Sequence, residues 1–483
     1  MYLGLDLGTS GLRALLVDEG GIPVVSAEQS YPLEHPHQGW SEQNPQDWIK
    51  ACSRAITDIR SSHPKEFAAL KGIGIAGQMH GATLLGNSGD VLRACILWND
   101  TRSHLEAAKL DAIPAFRAIS GNIVFPGFTA PKLVWVARHE PEIFARIAKV
   151  LLPKDYLNHW LTGRYISDMS DASGTSWLSV GKRCWSEELL ALSGMLSSQM
   201  PELVEGYEVA GTLRKKIAQE WGVSPAVIVV GGGGDNAVAA CGVGAVNEGD
   251  GFVSLGTSGV ILAAKDSFAP DADCAVHTFC HAIPNRWYQM GVNLAATDSL
   301  NWLASLVGQT PQALTTALGG TIRGPGLARF LPYLSGERTP HNDSSIRGAM
   351  TGLDIATDAA GITQAVLEGV SFALRDSLEA LRSTGTGLDR LLAIGGGTQS
   401  PYWVELLATI LNLPIELPEA GEFGAALGAG RLAICGANGT DPYRIMGKPA
   451  IASTVEPRTD LTEAYAASYE KFRASYSAIK AIQ

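Results

Sequence analysis

The sequence predicts an α/β protein built as two similar lobes, and three observations carry that reading. The pentapeptide Leu7-Gly8-Thr9-Ser10-Gly11 recurs as Leu255-Gly256-Thr257-Ser258-Gly259. Each half also holds a helix made almost wholly of small residues, in AVIVVGGGGDNAVAACGVGAV and in GEFGAALGAGRLAICG. Finally, 483 residues exceed what one ordinary hydrophobic core accommodates. Asp6 stands before the first turn and Ser254 before the second.

Taken in order, residues 1–30 read as a β-meander, with Gly20-Gly21 at its second hairpin. Asn44 and Pro45 open a helix whose Trp48, Cys52, Ile56 and Ile59 share one apolar face. LKGIGIAG is a strand that ends at Gln78-Met79-His80-Gly81, and RACIL is a strand that ends at Trp98, Asn99, Asp100 and Arg102. Polar side chains at strand ends suit a small ligand; an ordinary half-exposed loop histidine is an equal alternative for His80, and a polar loop under a core Trp for the 98–102 group. Residues 103–205 read as mostly helical, with Lys154 and Asp155 solvating a helix start. Five apolar residues then run into Gly231–Gly234, Asp235, Asn236 and the first small-residue helix. Four glycines leave the Asp235 carboxylate uncrowded. Helices this thin are poor in propensity, so close packing is expected of them.

A lobe boundary is expected near residue 246, giving lobes 1–246 and 247–483. In the second lobe, RFLPYLSGERTPHNDSSIRGAMTGLD is a long polar loop and DAAGITQAVLEGVSFALRDSLEAL an amphipathic helix. DRLLAIGGGTQSPYWVELLATILNLPIEL reads as strand, glycine turn, helix, strand. The last 40 or so residues read as helical trim. Cys274, His277, Cys280 and His281 have C-x2-H-x2-C-H spacing, but one strand-like run does not readily wrap a tetrahedral ion, so no metal is expected there.

Glycines and small hydroxyl residues let a turn aim backbone N–H and side-chain O–H groups at phosphate. Thr9 and Ser10 in the first turn, and Gly256 and Thr257 in the second, therefore read as phosphate clamps on one polyphosphate. Gly395, Gly396 and Gly397, at a strand end before a helix, can accept a nucleotide's ribose or phosphate edge. The chain is 46% hydrophobic and 18% charged, with a net charge of -11. That balance argues against nucleic-acid or anionic-membrane partners. No apolar run approaches the ~18 residues of a spanning helix, and no signal segment is visible at the N-terminus. Seven cysteines without a CxxC pair suggest a reducing, cytoplasmic setting.

The order of turn, small-residue helix, second turn, nucleotide glycines and second small-residue helix resembles the sugar-kinase, actin and heat-shock-chaperone ATPase superfamily. Residues 127–139 and 348–368 are similar to the two signatures of its FGGY carbohydrate kinases, with a departure at Gly361. Ala76–Gly81, Leu97–Asp100, Leu152–Tyr156, Gly233–Asn236 and Leu331–His341 resemble the xylulose-phosphorylating branch of that family. The resemblance implies two duplicated ribonuclease-H-like (actin-like) lobes with a nucleotide and sugar cleft between them. It implies ATP and D-xylulose as substrates, with sugar contacts at Met79, His80, Asp235 and Asn236. Asp235 is then the proton acceptor, and Asp6 with Asp235 serves Mg²⁺, through water. Another ketose or polyol kinase of the family is the alternative, and a sugar-free actin- or chaperone-like ATPase a more distant one. A homodimer is the assembly expected.

Overall fold

The structure, a computed structural model, describes residues 1–419 and 424–483. Two seven-stranded mixed sheets frame it, one in each half of the chain. The first contains β1 (Tyr2–Leu7), β2 (Gly11–Val17), β3 (Pro23–Ser30), β4 (Gly72–Gly77), β5 (Val209–Thr212), β6 (Ile228–Val230) and the short Gly233–Gly234 strand. The second contains β7 (Gly251–Leu255), β8 (Gly259–Lys265), β9 (His277–Cys280), β10 (Trp287–Asn293), β11 (Leu391–Ile394), β12 (Ile415–Pro418) and β13 (Ile451–Val455).

The two sheets repeat one plan. In the first, β1, β2 and β3 form the expected meander, β4 lies parallel to β1, β6 parallel to β4, and β5 antiparallel at the edge. In the second, β7, β8 and β10 form the meander, β11 lies parallel to β7, β12 parallel to β11, and β13 antiparallel at the edge. β9 extends the second meander beyond β10. β13 corrects the expectation of a purely helical C-terminal stretch; only a helix, Thr462–Lys480, follows it. With an exposed run at its centre, this edge strand lacks the apolar signal of the buried strands.

The helices that matter for the site are α1 (Pro45–Ser62), α2 (Thr129–His139), α3 (Pro153–Thr162), α4 (Met169–Ser173), α5 (Asp235–Val243), α6 (Thr297–Val307), α7 (Ala359–Ser383), α8 (Pro401–Leu411) and α9 (Gly424–Asn438). α1 starts where the sequence indicates, with Asn44 accepting from the Gln46 N–H at 3.0 Å and Trp48, Cys52, Ile56 and Ile59 buried. α7 and α8 supply the main core of the second half. α5 and α9 are the two small-residue helices; residues 421–423 of the expected second helix lie outside the described residues.

These two helices cross almost backbone to backbone. A Cβ added at Gly428 would lie 1.9 Å from the Val238 carbonyl oxygen, and one at Gly242 would lie 2.0 Å from that of Gly424. α9 also lies on the first sheet: a Cβ at Gly4 or Gly74 would meet the Ala426 or Ala429 carbonyl at 1.8 or 2.0 Å. α5 in turn shares its core with Phe252, Leu262 and Leu392 of the second sheet. Each small-residue helix thus serves the opposite half of the chain.

The crossing gives a direct test. Gly428→Ala gains helix propensity of about 1 kcal/mol but forces a methyl into a carbonyl. Overpacking of this kind costs about 1–3 kcal/mol. A lower Tm by calorimetry is expected, whereas Gly387→Ala, with open space around it and no left-handed backbone, has no such clash to absorb.

Candidate active site

The cleft is built around two carboxylates. β1 places Asp6 opposite Arg13 of β2 and Ala76 of β4. Asp235 is the first residue of α5, and Gly234 is the cap. The Asp235 Oδ1 accepts from the Asn236 N–H at 2.7 Å and from Asn236 Nδ2 at 3.0 Å. Burial first, and then the Asp235 charge, raise the Asp6 carboxyl to about 7. Burial raises Asp235 to about 6, against the hydrogen bonds from Asn236. Desolvation thus outweighs the end of a nine-residue helix, yet a carboxyl near 6 remains mostly ionised at pH 7.

Met79 and His80 stand beside this pair. The Met79 side chain covers Gly234, where a Cβ would lie 2.9 Å from its Sδ. The Tyr288 hydroxyl, from the second half, donates to the same sulfur at 3.8 Å. Burial, then the charges of Asp235, Asp171 and Asp168, push Tyr288 well above its ordinary value, so it too adjoins Asp235.

His80 has φ of 70°, left-handed for a residue with a bulky side chain, a conformation costing of order 1–3 kcal/mol. Its carbonyl is gripped by Lys132 Nζ at 2.8 Å and Thr129 Oγ1 at 3.1 Å, both from α2. Its Nδ1 lies 2.7 Å from the Gly174 carbonyl, which fixes Nδ1 as the protonated nitrogen and leaves Nε2 an acceptor. The ring stacks on Phe128 at 4.5 Å. Burial lowers it to about 3, so His80 is neutral.

Lys154 and Asp155 do not solvate a helix start. Lys154 is 0% exposed. Its Nζ lies 2.6 Å from Asp155, 2.8 Å from Asp168 and 3.9 Å from Asp171, and it donates to the Gly231 carbonyl at 3.3 Å. Burial alone would lower the ammonium, but these three carboxylates outweigh it and keep it charged. Asp171 relieves the charge imbalance: its oxygens have no hydrogen-bond partner, and burial drives its carboxyl well above its ordinary value, toward the neutral acid. Asp168 continues the network: its Oδ2 accepts from Ser170 Oγ at 2.5 Å, and Ser170 Oγ accepts from the Gly234 N–H at 3.1 Å. α4 therefore holds Gly234 near one end and, through Gly174 just past its other end, His80.

The 98–102 group resolves toward structure. Arg102 pairs with Asp100 and Glu42, both at 2.7 Å, and stacks on Trp40 at 3.6 Å. The Trp98 indole donates to Thr9 Oγ1 at 2.9 Å.

Asp6 and Ser10 line one cavity of about 350 Å³, together with Gly8, Gly11 and Arg13. Gly396 and Gly397 line another of about 470 Å³, with Asn301, Gln312, Gln399 and Trp403. Thr297, at the start of α6, joins the second turn to that cavity: its N–H and Oγ1 donate to the Gly256 carbonyl at 2.9 and 2.8 Å. The Ala296 N–H donates to the Thr257 carbonyl at 2.8 Å. Asp6, Met79, His80, Asp235 and Asn236 thus share one neighbourhood, while Gly256, Thr257, Gly396 and Gly397 share another.

Cys274, His277, Cys280 and His281 have separate surroundings. Cys280 donates to the Val180 carbonyl, His281 sits between Cys241 and the Ala245 carbonyl, and His277 packs among phenylalanines. Among the described residues, no group of three or more His, Cys, Asp or Glu is placed to hold a metal ion.

Tyr288, Lys132, Thr129 and Gly174 were not legible as site residues. Lys132 and Thr129 fall inside the first signature, the one signal that could have drawn attention to them.

These features define the two-lobed α/β fold of the sugar kinases. Residues 1–242 match the N-terminal domain, and residues 251–437 the C-terminal domain, of the FGGY family of carbohydrate kinases. The chain belongs to that family. It is 46% identical over 440 residues to a xylulose kinase of Escherichia coli (strain K12), covering 91% of this chain and 90% of that protein. It is 47% identical over 435 residues to a xylulose kinase of Klebsiella pneumoniae, covering 90% and 89%. The crystal structure of a "xyloylose kinase" from Brucella ovis superposes with a TM-score of 0.98 at 59% identity, covering 100% of both chains.

Because burial holds the imidazole near 3, lowering the pH from 8 to 5 leaves His80 in one neutral Nδ1–H form. Nitrogen-15 spectra of labelled histidine check this. A His80 titration near the ordinary 6.5 would refute the buried, carbonyl-bonded ring.

Proposed function

We propose that the protein transfers the γ-phosphoryl group of ATP to the terminal hydroxyl of D-xylulose, giving D-xylulose 5-phosphate. One observation carries the reading: a half-buried carboxylate, Asp235, beside Met79 and a neutral His80 at the end of a glycine-rich strand. The choice of sugar is supported by the xylulose kinases to which the chain is 46–47% identical.

In this reading Asp235 accepts the proton of the attacking hydroxyl. The new oxygen–phosphorus bond forms as the bond from phosphorus to ADP breaks, and the proton stays on Asp235 until the products leave. Asn236 orients Asp235 through its two hydrogen bonds. His80 Nε2 accepts from a sugar hydroxyl, and Met79 gives the sugar an apolar wall. Thr9, Ser10, Gly256 and Thr257 clamp the phosphates, the last two from beside the start of α6, where a helix N-terminus favours anions. Gly396 and Gly397 take the adenosine end, and the cavity they line is of a size suited to a nucleoside.

Asp6 and Asp235 are like charges close enough for one to raise the other's pKa, a pair that suits a divalent cation. Asp6 with Asp235 would hold Mg²⁺, through water, and the ion when bound supplies charge neutralisation to the phosphates.

We take residues 1–246 as the sugar-binding lobe and 247–483 as the nucleotide-binding lobe. Seven free thiols support a reducing, cytoplasmic setting. Among the described residues, no helix is long and apolar enough to cross a membrane. The homodimer expected from the sequence belongs to the same reading, and light scattering separates it from a 51.0 kDa monomer.

ADP release measured across D-xylulose, D-ribulose, L-ribulose, glycerol and D-gluconate is expected to give the highest kcat/KM with D-xylulose. A different sugar at the top would change the substrate, and turnover indifferent to every sugar would remove the sugar site. Asp235→Ala is expected to fold normally and lose about 10²–10⁴-fold in kcat, the usual weight of a positioned base. His80→Ala is expected to raise the sugar KM more than the ATP KM; an equal rise would mark a structural histidine.

A further inference from the structure

Two polar groups of the second lobe reach the aromatic wall behind His80 without a polar partner there. Phe128, which stacks on His80, packs against Phe125 at 5.4 Å. His277, on β9, lies 5.1 Å from Phe125 and 5.8 Å from Phe128. It is 1% exposed, and neither ring nitrogen has a hydrogen-bond partner. Arg338 lies over the Phe125 ring, its guanidinium carbon 4.8 Å from the centroid.

Among the described residues, Arg338 forms no ion pair within 4.0 Å. The neighbouring Glu337 carboxylate is already occupied by the N–H groups of Leu294 and Arg338 at 3.0 and 2.8 Å and by Asn293 Nδ2 at 3.2 Å. The Arg338 charge is felt by both His80 and His277, which it makes less basic. Burial lowers the guanidinium itself to about 10.

The backbone that carries Arg338 is fixed. Thr339 exchanges hydrogen bonds with Val292 at 3.0 Å through its N–H and hydroxyl, and its hydroxyl donates to the Ala275 carbonyl at 2.9 Å. A guanidinium keeps its charge at any physiological pH, and one that feels the Glu337 charge but makes no ion-pair contact with it is incompletely compensated. Such a group on a rigid loop is suited to an oxygen-rich ligand that arrives later.

The contacts also give the direction. Met79 covers Gly234 next to Asp235, His80 follows it, and Phe128, Phe125 and Arg338 succeed one another beyond. Along these contacts Arg338 is separated from Asp235 by four intervening side chains. We propose that Arg338 is the second lobe's contact to the sugar, donating to the oxygens at the C1–C2 end of the ketose, with His277 as a neutral polar neighbour. The sugar pocket is then completed by both lobes, and occupancy by sugar draws them together. The inference rests on the D-xylulose reading.

The test compares D-xylulose with 1-deoxy-D-xylulose, which lacks the C1 hydroxyl, in wild type, Arg338→Met, Arg338→Lys and His277→Phe. The wild-type arm alone decides whether D-xylulose is the substrate; if another sugar wins the panel, the same variants are read on that sugar and its analogue lacking the hydroxyl farthest from the transfer site. R338M is expected to raise the D-xylulose KM at least tenfold, to move the ATP KM by less than twofold, and to narrow the preference for D-xylulose over the deoxy sugar. R338K, which keeps the charge but loses the planar fork, is expected to raise the D-xylulose KM three- to tenfold and serves if R338M does not fold. H277F is expected to raise it about threefold. An unchanged sugar KM in these variants, or a rise equal for both sugars, would overturn the assignment.

Discussion

The crossing of α5 and α9 is the constraint on which the rest of the molecule depends. Two backbones meet where side chains would normally stand, and at Gly242 and Gly428 only glycine permits it. α9 is simultaneously pressed onto β1 and β4 through Gly4 and Gly74. β1 carries Asp6, β4 runs into Met79 and His80, and α5 begins at Asp235. One helix from the second half therefore fixes the spacing of three elements of the first that supply the cleft. Several glycines in a helix are unfavourable by roughly 1 kcal/mol each. The close packing offsets this, and the cleft's two halves keep one pivot.

Behind that cleft lies a second layer of order. Lys154 brings a full positive charge into the interior, which is costly unless every donor is used. Its contacts with Asp155, Asp168 and Gly231 use them. The network runs on through Ser170 to the backbone of Gly234, while Gly174 reaches His80 from the far side of the same short helix. Both the candidate base and the candidate sugar ligand are therefore tied to α4. That matters because misplacement by an ångström can cost a reaction 10²-fold. His80 makes the same point locally: its left-handed backbone persists because Lys132 and Thr129 hold its carbonyl.

What could be read in the sequence was local. The repeated turns, the meanders, the cap at Asn44 and the thin helices each announce themselves within a few residues. What could not be read depends on which distant segments close over a group. Lys154 and Asp155 look like a solvated helix start until Asp168 and Asp171 are folded onto them. Asp100 and Arg102 look free to meet a ligand until Glu42 and Trp40 arrive from another strand and loop. Asp235 can be placed before a helix from the sequence, but spacing does not report the desolvation that raises its carboxyl. Tyr288 reaches Met79 across 209 residues of chain, and no periodicity signals that. β13, with an exposed centre, lacks the apolar pattern that marks the buried strands.

The duplicated frame also explains how two equivalent lobes come to do different work. The sheets share one strand plan, and the turn that follows the first strand is the same five residues in both. The difference lies in side chains at strand ends. Where β1 presents Asp6, β7 presents Ser254. A carboxylate beside a phosphate turn, opposite another carboxylate, gathers negative charge in need of a cation. A serine at the same place leaves the second turn free to lean on the start of α6 and act through neutral donors and a helix end. In the proposed function this asymmetry gives the base and the metal to the first lobe and the nucleoside to the second, with a phosphate turn from each. Arg338 then breaks the symmetry in the other direction, because it carries a positive group of the second lobe to a wall of the first that has no acidic partner for it. Two copies of one scaffold become complementary when their charges differ at a handful of positions that the common backbone already points into one cleft.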